Sequence, residues 1–359
     1  MNTGSPTPTR LPANQPPQFY RGGAAIAEFR GAREAAGYGP EDWVASTTTM
    51  FGQEVHGLSV LPDGRLLRDA VLADPTGWLG AEHVEAFGAS TGLLVKLLDA
   101  GQRLPVHCHP DDSFARQHFS SHCGKTEAWV VIGTEAERGT VHLGFRENQD
   151  ADTVAEWVAN QDRDAMLGAL NSLEVSAGDT VFVPAGVPHA IGAGVFIVEL
   201  QQPTDLSVTL EWRDFLAGPD KGHLGIGYRT ALRCLDRSGW PEHRLSSLRH
   251  RSANGAAGDG SNSSNGSRAR TNLLGRHADP FFRAEWLHAE PGMRLERSFG
   301  VLVILSGQAM LHTEAGDRVP VAKGDTVLLP HAAGTTTVDG DLAAVHCRPP
   351  GPANARSPE

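Results

Sequence analysis

Four residues in two segments have the chemistry of a metal site. The first segment, Val106 to Trp129, reads VHCHPDDSFARQHFSSHCGKTEAW and holds His107, His109 and Glu127; the second, GDTVFVPAGVPHAIG, delivers His189. His107 and His109 flank Cys108, so on an extended strand both imidazoles project to one face and the thiol to the other. Three neutral nitrogens with one carboxylate suit a divalent first-row ion: zinc first, with manganese or iron as alternatives. A His-X-His pair alone is weak, because scattered surface or core histidines produce it by chance. The second segment adds the weight.

That segment spaces Gly178, Pro184, Gly186 and His189 in order. Gly178 and Asp179 make a tight turn, Thr180 to Val183 read as a short strand, and Pro184 with Gly186 break it at a bend just before His189. This spacing resembles the second metal motif of the cupin family. The His107-X-His109 run with Glu127 resembles the first, although Glu127 lies further downstream than in the simplest cupins. Cys108 reads as packing on the reverse face of its strand.

Elements must carry these groups into one place. Gly92 to Ala100 fits helix or buried strand by periodicity, and its position before the histidine pair favours strand. Ala128 to Ile132 and Thr140 to Gly144 read as further strands. Between about 147 and 173, Val154, Trp157, Val158, Met166, Leu167, Leu170 and Leu173 recur at helical spacing, which predicts a helical insert. Strands are also expected at Val301 to Leu305 and Ala309 to His312. A weak repeat joins VSAGDTVFVPA (Val175 to Ala185) to VAKGDTVLLPHA (Val321 to Ala332). It predicts a second β-sandwich without the ligand motifs. The fold class expected is mainly β, two jelly-roll sandwich barrels of the double-cupin kind with a helical insertion in the first. The divisions are a Pro-rich disordered tail at 1–19, a metal-binding domain at 20–250, a Gly/Ser/Asn linker at 251–272, a second, degenerate domain at 273–348 and a tail at 349–359.

Bulk composition narrows the function. The chain has 359 residues and a formal net charge of −11, which argues against nonspecific binding to nucleic acid or anionic membrane. Four cysteines without CxxC or framework spacing fit a reducing compartment. Neither a signal peptide nor a long apolar span is apparent, so a cytoplasmic location is expected. The oligomeric state is not legible.

Three segments together resemble class I phosphomannose isomerases of the shorter bacterial type: HPDD at His109–Asp112, GKTE at Gly124–Glu127, and VPAGVPHAIG with ELQQ from Val183 to Gln202. The resemblance implies a metal-dependent aldose–ketose isomerase that converts mannose 6-phosphate to fructose 6-phosphate through an ene-diolate, with a sugar or sugar phosphate as partner. It implies a catalytic role for Lys125, which lies two residues before Glu127 and so on the same face of an extended segment. The proton-transfer base stays unassigned; His118 and His122 are nearby in sequence. Asp111 and Asp112 are expected to orient the ligand rings, and Arg116, Lys125 and Arg213 are candidates to hold a phosphate. The chain departs from the family pattern twice: His107 replaces a glutamine, and Thr209 stands where an arginine is usual. These changes keep two alternatives open, an isomerase of a different sugar and a non-catalytic sugar-binding or regulatory cupin.

Overall fold

The computed structural model describes residues 5–251 and 269–354. The chain is mainly β and its sheets are antiparallel throughout. Two sheets carry the ligand segments. One runs in the order Arg249–His250, Thr180–Val183, Glu127–Thr134, Val195–Gln201, Leu94–Asp99, Glu41–Val44; the other runs Val208–Thr209, His107–Cys108, His189–Ile191, Gly139–Phe145, Leu170–Val175. A third, eight-stranded sheet is built around the long strands Gly300–Thr313 and Thr336–Arg348. Each sheet ends in edge strands, so these are open sheets and not the closed barrels expected.

Period-two patterning explains how the sheets stack. Val301, Val303, Val345 and Cys347 join the same apolar cluster as Trp129, Val130 and Leu97 of the first sheet. The alternate positions, Leu302, Ile304 and Ala344, point the other way, into a separate cluster with Leu311 and Val338. The third sheet therefore has an apolar residue at nearly every central position, because both faces are covered.

The sequence repeat is a repeated turn. Gly178 and Gly324 both take positive φ, 93° and 91°, a conformation that favours glycine. In each copy the following aspartate accepts from a backbone N–H three residues before it: Asp179 from Ser176 at 3.0 Å, Asp325 from Ala322 at 2.9 Å. Each turn also exchanges backbone hydrogen bonds with the neighbouring strand, at Val131 in one copy and Ile304 in the other. The strands that follow are Thr180–Val183 and Thr326–Leu329.

Several expectations need correction. Residues 5–19 are not a disordered tail: Thr9–Leu11 is a strand paired with Thr326–Leu329, with Leu11 buried. The edge of the third sheet supplies the hydrogen-bond partners that this Pro-rich segment lacks internally. The helical insert is shorter than 147–173. It consists of Ala151–Asn160 and Arg163–Ala169, each capped at its N-terminus by an aspartate, Asp150 and Asp162. Leu170 to Leu173 belong instead to the strand Leu170–Val175, where pairing with Gly139–Phe145 overrides the helical spacing. Of the linker at 251–272, residues 252–268 lie outside the described residues, and Arg270–Asn272 is a strand. The two short strands expected near 301 and 309 are one strand with an irregularity at Leu305. Leu94–Asp99 is a strand, as expected.

Candidate metal centre

Strand pairing brings the distant ligand segments together. His107 lies directly opposite His189 across two neighbouring strands, and His109 follows immediately after the strand that holds His107. Glu127 opens its own strand in the other sheet, between Val183 and Gln201. The ring centroids of His107, His109 and His189 are 4.1 to 5.0 Å apart. One nitrogen of each ring lies within 4.8 Å of the others.

Backbone carbonyls fix the rings. His107 Nδ1 donates to Pro105 at 2.8 Å, His109 Nδ1 to Leu206 at 2.9 Å, and His189 Nδ1 to Val187 at 2.8 Å. A carbonyl only accepts, so each ring carries its proton on Nδ1 and offers the lone pair of Nε2 to the interior. Asp111 and Asp112, expected to do this orienting, serve elsewhere. Asp111 caps the helix Asp112–Phe119 through Phe114 N–H, and Asp112 accepts from Gly124 N–H and from the Gln202 amide, each at 2.8 Å.

The carboxylate completes a set that demands a cation. Glu127 Oε2 is 3.0 Å from His109 Nε2, and Oε1 is 3.3 Å from His189 Nε2. Burial, then the Lys125 ammonium, pushes the His109 ring down to about 3, so no proton fills the gap at neutral pH. Burial also holds His107 well below its ordinary value, reinforced by the two neighbouring rings. Burial alone would raise the Glu127 carboxyl, but Lys125, His109 and His189 outweigh it and keep it charged. Lone pairs thus face lone pairs at contact distance. Among the described residues, His109 Nε2 and His189 Nε2 are buried without a hydrogen-bond partner, and Glu127 Oε2 has the Lys125 ammonium at 3.1 Å on its other side. A divalent metal satisfies both nitrogens at once, so the donor set fits one.

Beside these groups lies a chain of buried charges. Lys125 Nζ is 3.1 Å from Glu127 and 3.8 Å from Glu199. Lys96 Nζ is 3.0 Å from Glu41, 3.9 Å from Glu199 and 4.6 Å from the centre of the Trp43 ring. Tyr20 donates its hydroxyl to Glu41, and Trp43 Nε1 donates to the same carboxylate at 2.6 Å. Burial raises Glu199 and Glu127 pushes it further, to about 8, against the pull of Lys96 and Lys125. Burial would lower Lys96, but Glu41, Glu199 and Asp205 override it and raise it. Lys96 and Glu41 did not emerge from motif reading, and Glu199 entered only as the first residue of ELQQ, with no role. Their signal was present: Lys96 interrupts GLLVKLLDA and Glu199 interrupts VFIVELQ, charged residues inside runs buried on both faces.

A cavity of about 690 Å³ opens onto this cluster, lined by His107, Lys125, Glu127, Glu199, Lys96 and Thr209, among others. Of the three phosphate candidates, Lys125 alone faces it. Arg213 lines a separate depression beside Gln161, and Arg116 is exposed on the helix Asp112–Phe119. His118 packs on Phe114, and neither it nor His122 lines the cavity. Thr209 pairs with His107 across the strands, and its carbonyl accepts from Tyr228 at 2.5 Å.

The fold and this cluster define a class: antiparallel β proteins in which three imidazoles and a carboxylate converge beside a ligand-sized cavity. The chain's relatives are more particular. It is 29% identical over 301 residues to a mannose-6-phosphate isomerase of Streptococcus mutans serotype c, covering 81% of this chain and 84% of that one. It is 26% identical over 326 residues to the mannose-6-phosphate isomerase ManA of Bacillus subtilis, covering 89% and 92%. A crystal structure of the mannose 6-phosphate isomerase from Bacillus subtilis shares the fold with a TM-score of 0.66 at 20% identity, over 96% of this chain and 100% of that one. No family model matches. The chain is therefore similar to mannose-6-phosphate isomerases in sequence over most of its length, as its motifs implied, and similar to them in fold.

Proposed function

We propose that the chain is a metal-dependent aldose–ketose isomerase acting on mannose 6-phosphate, with the double-cupin architecture, a ligand-bearing first unit and a degenerate second one. The observation that carries this reading is the convergence of His107, His109, His189 and Glu127 beside a cavity that His107, Glu127, Glu199 and Lys125 line. Sequence similarity to isomerases supports the reaction type.

The reaction moves a proton between two adjacent carbons of the open-chain sugar. His107, His109 and His189, through Nε2, and Glu127 would hold the metal, with zinc the first choice for this donor set. When bound, the metal would supply Lewis acidity toward substrate oxygens. Glu199 takes the role of proton carrier. Its carboxyl lines the cavity, and burial favours its protonated form against the nearby lysines, so it can hold a proton and return it to a bound sugar. Lys125 donates toward the oxyanion of the ene-diolate, and its contacts with Glu127 and Glu199 keep the ammonium in place. Lys96, held by Glu41, positions Glu199 from the other side.

The test is turnover. Purified protein should interconvert mannose 6-phosphate and fructose 6-phosphate, lose that activity on chelation and regain it with a divalent metal. Glu199→Gln should lower kcat by about 10²–10⁴-fold while metal content stays at the wild-type level. Absence of turnover by metal-loaded protein on mannose 6-phosphate would sink the reading.

One observation favours a second substrate. The cavity wall holds Glu41, Glu127, Glu199 and Asp205 against Lys96 and Lys125, so its interior is rich in carboxylates. An isomerase of an unphosphorylated sugar suits such a wall, and faster turnover of free aldoses than of their phosphates would select it.

A further inference from the structure

We propose that Cys108 and Cys234 form a modification site: an intrachain disulfide, made by exchange with a small-molecule disulfide, that ties the ligand strand to the turn behind it. The two sulfurs lie 3.8 Å apart although 126 positions separate them in the chain. A bridge requires about 2.05 Å, so the sulfurs need to close by about 2 Å, a local adjustment. Cys108 is fully buried on the reverse face of the strand that presents His107 and His109, inside an apolar cluster with Val208 and Leu235. Cys234 ends the turn Leu232–Cys234 and is half-buried, which gives a small reagent a way in. Cys347 is buried in the third sheet, away from this pair.

The exchange balances in two steps. Cys234 attacks one sulfur of the reagent as thiolate; a mixed disulfide forms, the reagent's S–S bond breaks, and half of the reagent leaves as a thiol with the proton Cys234 gave up. The Cys108 sulfur then attacks Cys234 Sγ, the protein disulfide forms, and the second half leaves as a thiol with the Cys108 proton. Two protein thiols are oxidised and one small disulfide is reduced to two thiols.

Backbone hydrogen bonds carry the effect to the imidazoles. Gly186 N–H donates to the His109 carbonyl at 2.7 Å, and Asp236 N–H donates to the Gly186 carbonyl at 2.8 Å. The Cys234 turn, the bend before His189 and the histidine strand are thus tied to one another through the backbone. Drawing Sγ of Cys108 toward Cys234 pulls the strand at the residue between two ligands, so the bridged form holds its metal more weakly. The bridge itself does not depend on the isomerase reading; the effect on the metal rests on the ligand assignment alone.

The experiment treats the full-length, metal-loaded protein with oxidised glutathione and maps peptides by mass. A peptide pair joined through Cys108 and Cys234, with bound metal reduced several-fold and both changes reversed by dithiothreitol, is the expected result. Cys234→Ser should give no such pair and keep its metal under the same treatment. A glutathione adduct on Cys234 that never resolves onto Cys108, or a link from Cys234 to Cys123 instead, overturns the site. The joined pair with unchanged metal content overturns the coupling. Neither readout requires turnover, so failure here is separable from failure of the proposed activity.

Discussion

His109 stays neutral down to about 3 because burial, then Lys125, oppose the imidazolium, whereas the ring's ordinary value is 6.5. Between those values the unfolded chain binds a proton that the native chain refuses. The His109 contribution to the stability of the metal-free protein is therefore full above 6.5 and is lost as pH falls toward 3. The slope is about 1.4 kcal/mol per pH unit for His109 alone, and His107 acts in the same direction. Glu199, raised to about 8, acts in the opposite direction over the same window, so the test is the difference: relative to His109→Gln, the urea midpoint of metal-stripped wild type should fall between about pH 7 and about pH 5, and a pH-independent difference would remove the burial account. At this scale the four converging residues were readable as candidate ligands, because His-X-His, the GKTE run and the Pro-X-Gly bend are local patterns. Glu199 and Lys96 were not assigned, because their meeting depends on register between Leu94–Asp99 and Val195–Gln201, which no single strand encodes.

Gly124 shows how an element can govern the site without touching substrate. Its N–H donates to Asp112, its carbonyl accepts from Thr204, and a Cβ placed there would lie 2.2 Å from the Pro110 carbonyl oxygen. Backbone, not a flexible side chain, occupies that space, so the loop must move to admit even alanine. Gly124→Ala should destabilise the protein by about 1–3 kcal/mol and lower turnover, because Lys125 moves with the loop; a wild-type midpoint in urea would show that the loop yields freely. The same scale explains what patterning could reveal. Thr180–Val183 was bounded by a glycine turn and a proline and was readable to the residue. Leu170 to Leu173 carried helical spacing but lie in a strand, because the pairing partner at Gly139–Phe145 is remote in sequence.

For the molecule as a whole, charge sets the problem of holding a dianionic substrate. The chain carries a net −11, and both inner lysines of the cavity are committed to carboxylates. Lys221 lines the same cavity from an exposed position, and in the proposed reaction it would receive the phosphoryl group. Lys221→Ala should raise KM for mannose 6-phosphate several-fold, more so at low ionic strength, and leave kcat near wild type. Equal KM values would place the phosphoryl group elsewhere or favour the unphosphorylated substrate. The Gly-Asp-Thr-Val repeat was visible and is a repeated turn, but how the third sheet is completed was not. A segment near the start of the chain supplies one of its strands, and composition alone pointed to disorder there.

That borrowed strand has a consequence for biosynthesis. Thr9–Leu11 leaves the ribosome long before its partner Thr326–Leu329. The segment must wait, unpaired, while the two sheets that carry the histidines assemble, and it docks only once the far strand has been made. Its arrival then closes an edge that could otherwise recruit a strand from another nascent polypeptide.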